Sequence, residues 1–330
     1  MASIVSRLLD GRVRMRHFVL VQAVAEHGTL SGAAAELGVT QPYVTRSLQE
    51  LEAAIGTVLF DRGPRGVMPT PQGQIFVEYA AAVLNTMRQA GERLDDFALG
   101  ASTGLVRVGV NLATVHMLLP EAILRFKETA SWVTISLVEE YQNALRAMLS
   151  RNELDMLVGR IPTERSSENQ YLRLYEDPLV LAVRNEHPML GRDIGVPDLM
   201  DLPWIVPGYS SVFRSEIDGL FLVHGLSQPR NLIESSTITA TRPILRRIDA
   251  VAVLPRSLVL ADPALALLSV TVDTVPREIG ITIRAGAVED PVLTDFIACV
   301  VTVARELSEQ PEMSSDRNPA GAAETSSKQS

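Results

Sequence analysis

Three short segments near the start of the chain repeat apolar residues at intervals of three to four positions. This spacing predicts amphipathic helices, whose limits are set by capping residues. The first helix should cover residues 15–27 and end at Gly28. We expect Ser31 to cap the second helix and Thr40 to cap the third, which carries an apolar stripe of Val44, Leu48 and Leu51.

The second and third predicted helices are joined by a short turn that contains Gly38. Two short helices joined in this way are typical of the helix-turn-helix, whose second helix enters the major groove of DNA. Pro42 is compatible with the first turn of that helix, where backbone N–H groups have no intrahelical acceptor. The pattern therefore favours DNA binding by residues 1–70.

Two short stretches, residues 59–62 and 67–70, flank a tip of Gly, Pro, Arg and Gly. We predict a β-hairpin here, and a hairpin beside a helix-turn-helix is a wing. Thr70 and Pro71 then open a long helix over 71–99. Its apolar residues follow nearly heptad spacing, which is typical of a coiled coil that pairs two chains: Ile75, Tyr79, Val83, Met87 or Ala90, Leu94 and Phe97. The alternative is an ordinary helix packed in a core.

A short hinge at 100–104 is followed by a different pattern. Strand-like and helix-like stretches alternate, which predicts an α/β fold with a largely parallel, doubly wound sheet. The predicted strands are 105–110, 133–138, 155–158, 179–183, 250–254 and 279–284. The predicted helices are 118–127, 144–151, 217–224, 238–247 and 292–307. Residues 308–330 contain almost no large apolar residue, and we predict a disordered tail.

The composition, 46% hydrophobic and 21% charged, is that of an ordinary globular protein. The net charge of −9 argues at first against a nucleic-acid partner, but the excess acid lies beyond residue 70. Residues 1–70 carry seven Arg and six acidic residues, so Arg clustered at one surface would allow DNA binding. The single cysteine, Cys299, is predicted to be a buried thiol. Since we find neither a signal peptide nor a membrane helix, we predict a cytoplasmic protein.

The third helix carries side chains that can read base edges. Gln41 lies in the first turn and can pair with adenine, whereas Arg46 can bind guanine or phosphate. Tyr43 can meet a thymine methyl group or a phosphate. The predicted DNA-binding residues are Ser31, Thr40, Gln41, Pro42, Tyr43, Thr45, Arg46, Gln49, Arg62 and Arg65. The alternative is a merely solvated polar face, which the succession of cap, turn, wing and long helix disfavours.

Residues 15–305 resemble the LysR-type transcriptional regulators. The N-terminal resemblance is carried by Gly28-Thr29-Leu30-Ser31, Ala33-Ala34, Val39-Thr40-Gln41-Pro42, Arg46, Leu51-Glu52, Leu59-Phe60-Asp61-Arg62 and the stretch 70–73. A looser match follows at Leu119-Pro120, Glu153-Leu154-Asp155, His187-Pro188 and Val253-Leu254-Pro255. Tyr43 departs from the small residue that is usual in this family, so the base preference of relatives does not transfer directly.

The resemblance implies an α/β protein with an N-terminal winged helix-turn-helix of all-α type and a periplasmic-binding-protein-like effector domain of two α/β subdomains. The implied parts are a DNA-binding domain (1–70), a dimerisation helix (71–99), a hinge (100–104), subdomain I (105–177 and 279–307), subdomain II (178–278) and a tail (308–330). The implied partners are double-stranded DNA with paired promoter half-sites, a second copy in a homodimer or homotetramer, and RNA polymerase, as in an activator. A small-molecule effector would control the protein.

Ligands of open α/β sheets lie beyond the carboxyl ends of the strands and at helix N-termini. Applied to the implied effector domain, this rule selects Asn111, Thr114, Tyr141, Asn143, Gly208, Tyr209, Ser210, Ser211, Arg214, Ser236 and Thr237. Arg214 is the only cation among them and hints at an anionic or polyhydroxylated ligand. The alternatives are a helix cap for each residue and a surface ion pair for Arg214. Aromatic acids, amino acids, sugars and sugar acids all stay open as effectors.

Enzyme signatures are missing from the sequence, including G-x-S-x-G, H-E-x-x-H, Walker and dinucleotide-binding loops. We therefore predict a protein without catalytic activity, metal or cofactor, in which His187 is structural. Two other functions stay open. A solute-binding protein fused to an interaction module is disfavoured by the wing arginines and the lack of a signal peptide. An α/β enzyme is disfavoured by the lack of a catalytic constellation.

Overall fold

The computed structural model describes residues 4–63, 66–98, 104–110, 118–208, 212–235, 237–270, 272, 278–286 and 290–309. The chain divides into two compact units. The N-terminal unit contains residues 1–103 and 146–154, and the second unit contains residues 104–145 and 155–330. The predicted hinge, apart from Gly104, and the predicted tail from residue 310 onward lie outside the described residues.

The N-terminal unit begins with four helices: α1 (Ile4–Leu8), α2 (Met15–His27), α3 (Leu30–Glu36) and α4 (Gln41–Ile55). An antiparallel hairpin of β1 (Phe60–Gly63) and β2 (Gly66–Pro69) follows, and then the long helix α5 (Pro71–Ala98). The core packs α2 against α4 through side chains that are at most 1% exposed: Val21, Val24, Val44, Leu48 and Leu51. The helix-turn-helix, the wing and the long helix are therefore present as predicted.

The start of α3 differs from the prediction, whereas the N-cap position of α4 agrees with it. Thr29, not Ser31, is the N-cap of α3, because Leu30 already packs in the core and begins the helix. The Thr29 Oγ1 accepts the Gly32 N–H at 3.1 Å, and Ser31 is an exposed residue of the first turn. Thr40 does occupy the N-cap position of α4, but among the described contacts its side chain makes no capping hydrogen bond. This helix ends at Gly56, which has a left-handed φ of 78°.

Residues 146–154 belong to the same unit as α5. Asn152 has a φ of 58°, a conformation that Asn tolerates better than most residues. Its Nδ2 donates to the Ala82 carbonyl at 3.2 Å and to Thr86 Oγ1 at 2.7 Å, while Gln89 Nε2 donates to the Asn152 carbonyl at 2.8 Å. These bonds fix the segment against the middle of α5.

The second unit contains two five-stranded sheets. The strands of the first are β3 (Leu105–Val110), β4 (Thr134–Glu139), β5 (Met156–Arg160), β6 (Asn169–Glu176) and β12 (Glu278–Arg284), in the order β4-β3-β5-β12-β6. The strands of the second are β7 (Leu179–Arg184), β8 (Trp204–Val206), β9 (Leu232–Glu234), β10 (Val251–Pro255) and β11 (Leu265–Leu267), in the order β11-β7-β10-β8-β9. The helices are α6 (Leu118–Thr129), α7 (Gln142–Ser150, whose last residues belong to the N-terminal unit), α8 (Val212–Val223), α9 (Ile238–Leu245), α10 (Arg256–Leu260) and α11 (Pro291–Glu309).

Each sheet is largely parallel, with one reversed strand. In the first sheet β12 runs antiparallel to both neighbours, and in the second β7 does so. The chain passes from the first sheet to the second between β6 and β7 and returns at β12. This arrangement agrees with the two α/β subdomains that the resemblance implies.

Four strands were missed by the sequence prediction. Three of them, β8, β9 and β11, have only three residues each, which is too short for an alternating pattern. The fourth, β6, lies at the edge of its sheet, and half of its residues are exposed, without an alternating pattern of apolar residues. These strands form only because the rest of the sheet offers them a partner.

Candidate DNA-binding surface and effector site

The helix α4 presents a polar face opposite its buried apolar stripe. Gln41, Arg46 and Gln49 are exposed and Thr45 is half-buried. Arg46 and Gln49 lie on the face opposite the core side chains, whereas Gln41 is exposed because it begins the helix. Pro42 is exposed in the first turn, and Tyr43 is 43% exposed beside it. A helix with a buried stripe and an exposed row of Gln, Thr and Arg has the chemistry to read base edges in the major groove.

The wing is attached to the turn that precedes the helix-turn-helix. The Val67 N–H donates to the Gly28 carbonyl at 2.8 Å. Gly66 has a φ of 110°, and a Cβ at this position would lie 2.4 Å from the Gly28 oxygen, so only glycine fits here. Arg62 is exposed on β1. Arg65, the other predicted wing contact, lies outside the described residues.

The base of the wing continues directly into α5. The Thr70 hydroxyl donates to the Val58 carbonyl at 2.9 Å and accepts the Gly73 N–H at 2.9 Å, which caps α5 as predicted. A Cβ on Gly73 would lie 1.8 Å from the Leu59 carbonyl oxygen. The residue before the hairpin and the first turn of α5 are therefore in close backbone contact.

Two contacts join α5 to α2. The rings of Phe18 and Phe76 stack with centroids 5.7 Å apart, and Gln22 Nε2 donates to the Val77 carbonyl at 2.6 Å. The helix α5 nevertheless exposes most of the apolar stripe that the sequence predicts. The exposed members are Ile75 (59%), Tyr79 (58%), Val83 (36%), Met87 (55%) and Leu94 (69%). The side chain of Phe97 lies outside the described residues.

Several predicted effector contacts can be placed at the ends of the strands. Tyr141 and Asn143 are exposed after β4, and Gly208 is half-buried after β8. Thr237 caps α9, since its Oγ1 accepts the Ala240 N–H at 3.3 Å. The others lie outside the described residues: Asn111, Thr114, Tyr209, Ser210, Ser211 and Ser236.

Arg214 is a buried structural residue rather than an exposed cation. Its guanidinium donates to Glu234 Oε1 at 2.8 Å, to Asp218 Oδ1 at 3.0 Å and to the Pro207 carbonyl at 3.1 Å. The side chain is only 3% exposed, so the surface ion pair considered as the alternative is a buried one. Because two carboxylates already balance its charge, Arg214 gives no support for an anionic ligand. It joins the loop after β8 to the end of β9.

A buried polar cluster at the crossing between the two sheets was missed by the sequence reasoning. The Asp177 carboxylate accepts hydrogen bonds from the Ser257 N–H at 3.0 Å and from the Ser257 hydroxyl at 2.6 Å. The backbone carbonyl of Asp177 accepts a hydrogen bond from Arg160 Nη2 at 2.9 Å. Burial raises the pKa of Asp177 above its usual value, against the opposing effect of the Ser257 hydrogen bonds. The only local signal for this cluster was the Asp177-Pro178 pair in the sequence. The pair does not identify Ser257, the hydrogen-bond partner of Asp177, which lies 80 residues away.

No group of three or more His, Cys, Asp or Glu residues within the described ranges could hold a metal ion. Among the helices described, none is both long and apolar enough to cross a membrane. The half-buried Cys299 donates its thiol hydrogen to the Ala122 carbonyl at 3.3 Å, and burial raises its pKa.

Sequence comparison places both parts of the chain in one family. Residues 15–74 match the model of the bacterial regulatory helix-turn-helix protein, lysR family, and residues 100–305 match the LysR substrate binding domain. The transcriptional regulator GbpR of Azospirillum brasilense is 31% identical over 253 residues, which are 76% of this chain and 74% of GbpR. The regulator PcaQ of Agrobacterium fabrum is 29% identical over 284 residues, 84% of this chain and 91% of PcaQ.

Structure comparison gives the same fold. CbnR, a LysR family transcriptional regulator, superposes with a TM-score of 0.59 at 24% identity, covering 88% of this chain and 99% of CbnR. Full-length CbnR in complex with its target DNA gives a TM-score of 0.58 at 24% identity, over 88% and 100% of the two chains. The chain thus belongs to the LysR-type family, as a DNA-binding transcriptional regulator with an effector-binding domain and not an enzyme.

Proposed function

We propose that α4 reads one DNA half-site through Gln41, Tyr43, Thr45, Arg46 and Gln49. Ser31, Thr40, Pro42 and the wing residues Arg62 and Arg65 would lie against the phosphate backbone. The observation that carries this proposal is the exposed polar row of α4 above a fully buried apolar stripe. Gln41 is the residue most suited to a base edge, since it is exposed in the first turn.

The test is a binding titration of the full chain on a fragment of its own promoter region and on variants of one half-site. Gln41→Ala should weaken binding by about 1–3 kcal/mol and relax the preference at one base pair. Gln228→Ala is the matched control in the second unit, because it also truncates an exposed Gln. Unchanged preference at every base pair in Gln41→Ala would exclude the proposed role.

The exposed stripe of α5 supports a homodimer in which two copies of this helix pair, and two such dimers can form a tetramer. A charge at Val83 or Met87 should disrupt this pairing, whereas Gln72→Glu, on an exposed polar position of the same helix, should not. Sedimentation velocity of Met87→Glu would show a shift toward a monomer. A dimer that survives both Val83→Glu and Met87→Glu would show that another surface pairs the chains.

The second unit is proposed to bind a small molecule at the carboxyl ends of its strands, where Tyr141, Asn143, Gly208 and Thr237 lie. Effector binding would change how the dimers sit on promoter DNA and how they contact RNA polymerase, and the protein would act in the cytoplasm. A thermal-shift screen of the full chain tests this. A metabolite at 100 times its dissociation constant should stabilise the protein by about 2.7 kcal/mol. Asn143→Ala should reduce that shift if the site is assigned correctly.

A further inference from the structure

The connection between the recognition helix and the wing is only four residues long. The helix α4 ends at Ile55 and the strand β1 begins at Phe60. Glu52 lies in the last turn of α4, and its carboxylate reaches forward across this connection. Its Oε1 accepts the Leu59 N–H at 2.7 Å and the Phe60 N–H at 3.2 Å. One carboxylate oxygen of the recognition helix therefore holds the base of the wing.

These two hydrogen bonds satisfy groups that the fold removes from water. Leu59 is 2% exposed and Phe60 is 4% exposed. Buried backbone N–H groups need an acceptor, and hydrogen bonds to a charged acceptor are stronger than neutral ones. The carbonyl groups on the same segment are held from the other side, because Thr70 bonds to the carbonyls of Val58 and Leu59 through its hydroxyl and its N–H. Glu52 supplies the attachment to α4, and Thr70 supplies the attachment to α5.

We propose that Glu52 is a positioning residue for DNA binding: it sets the angle of the wing relative to α4, so that Arg62 meets the phosphate backbone while α4 occupies the major groove. Two contacts on one rigid DNA duplex strengthen binding most when the protein holds both in place beforehand, because less ordering is then needed on binding. A carboxylate close to a DNA surface opposes binding by its charge, so its benefit must come from geometry. The inference rests on the DNA contact proposed for Arg62.

The decisive experiment compares Glu52→Ala, Glu52→Gln, Arg62→Ala and the Glu52→Ala/Arg62→Ala double variant on one promoter fragment. Gln keeps the acceptor oxygen and removes the charge, so it should bind DNA at least as tightly as the natural chain. Glu52→Ala should lose about tenfold in affinity, roughly the loss that removal of the Arg62 contact causes. Its salt dependence should flatten by about 0.9 in log–log slope, as expected for one lost phosphate contact.

The double variant separates positioning from general damage to the fold. If Glu52 acts through Arg62, Glu52→Ala should cost little further affinity once Arg62 is absent. Additive losses in the double variant, or a Glu52→Gln protein as weak as Glu52→Ala, would overturn the inference. If Glu52→Ala fails to fold, Glu52→Asp replaces it, since its shorter side chain cannot reach both N–H groups from the same helix position.

A further measurement keeps this inference distinct from the proposed role of Arg62. Hydroxyl-radical footprinting should show that Glu52→Ala loses protection only at nucleotides flanking the half-site, with the central protection retained. If Arg62→Ala binds DNA normally, the proposed Arg62 contact is wrong, and the inference fails for that reason. If Arg62→Ala binds weakly, the contact stands, and an unchanged footprint for Glu52→Ala then excludes wing positioning by Glu52.

Discussion

The DNA-binding segment, residues 15–70, and the effector half, residues 105–305, differ in how far apart their interacting residues lie in the sequence. In the DNA-binding segment Thr29 caps a helix through a bond to Gly32, three residues away, and Glu52 bonds to Leu59, seven residues away. In the effector half Asp177 bonds to Ser257, 80 residues away. The first segment is specified by neighbours in the sequence, whereas the second depends on the order in which the strands assemble.

This difference predicts where a substitution should do the most damage. In the N-terminal unit the sensitive positions are close backbone approaches between consecutive elements. In the effector half they are buried side chains that connect segments distant in the chain. The two tryptophans, Trp132 and Trp204, both lie in the effector half, so their fluorescence reports on that half alone.

The largest effect is expected for Gly73→Ala. The added Cβ would lie 1.8 Å from the Leu59 carbonyl oxygen, and this contact can be relieved only by moving a backbone. We expect a loss of more than about 3 kcal/mol in the stability of the DNA-binding segment. Hydrogen exchange of the α2 and α4 amides would measure it, while tryptophan fluorescence of the effector half should hardly change.

Gly91→Ala is the matched control for this prediction, because it makes the same substitution in the same helix. A Cβ at Gly91 meets no atom within 4 Å, so Ala should stabilise α5 by roughly 0.5–1 kcal/mol through its better helix propensity. Equal effects from the two substitutions would contradict the close approach of Leu59 and α5.

The next effect is expected in the effector half from Asp177→Ala. This change leaves the buried N–H and hydroxyl of Ser257 without their acceptor and should cost about 2 kcal/mol. The tryptophan-monitored unfolding transition should move to lower denaturant concentration. DNA binding by a folded N-terminal unit should persist. Asp193→Ala, at an exposed position of the same half, should change stability by less than about 0.5 kcal/mol, and a similar loss there would remove the assigned role of Asp177.

Site residues could be predicted from the sequence more fully in the DNA-binding segment than in the effector half. The exposure of Arg46 and Gln49 could be predicted, because helix periodicity places them away from Val44 and Leu48. Gln41 falls on the same stripe as Val44 and Leu48 and is exposed because it is the first residue of the helix. The role of Arg214 could not be predicted from its residue type. Its partner Glu234 lies 20 residues further along, and the two meet only because β8 and β9 are neighbours in the sheet. Residue chemistry suggested a ligand there, but sheet order gave Arg214 an internal partner.

A smaller effect should appear as a pH dependence with separate origins in the two halves. Burial lowers the pKa of His17 in α2 below 6.5, with Arg16 adding to the effect, and burial likewise lowers the pKa of His187 in the effector half. The unfolded chain therefore takes up these protons at a higher pH than the folded chain does. Stability from the neutral imidazoles is present above about pH 6.5 and declines as the pH falls toward their folded pKa values.

Each half should lose at most about 1.4 kcal/mol per pH unit from its own histidine below pH 6.5. His17→Asn should abolish the pH dependence of stability that hydrogen exchange measures in the DNA-binding segment. His187→Asn should abolish the pH dependence of the tryptophan-monitored unfolding transition of the effector half. In the contrary outcome, the pH dependence of stability in one half disappears when the histidine of the other half is replaced. That result would contradict the separate origins assigned to His17 and His187.

The smallest effect concerns the cap of α3, which is Thr29, two residues before the predicted Ser31. Thr29→Ala removes the acceptor for the Gly32 N–H and should cost about 1 kcal/mol, as loss of an N-cap usually does. Ser31→Ala replaces an exposed residue inside the helix with the best helix former and should change stability by a few tenths of a kcal/mol at most. Thermal unfolding of the two variants measures the difference. The reverse order would place the cap at Ser31 and leave Leu30 outside the helix. Because Leu30 is buried against α2 and α4, core packing chooses between two caps that local sequence chemistry leaves nearly equal.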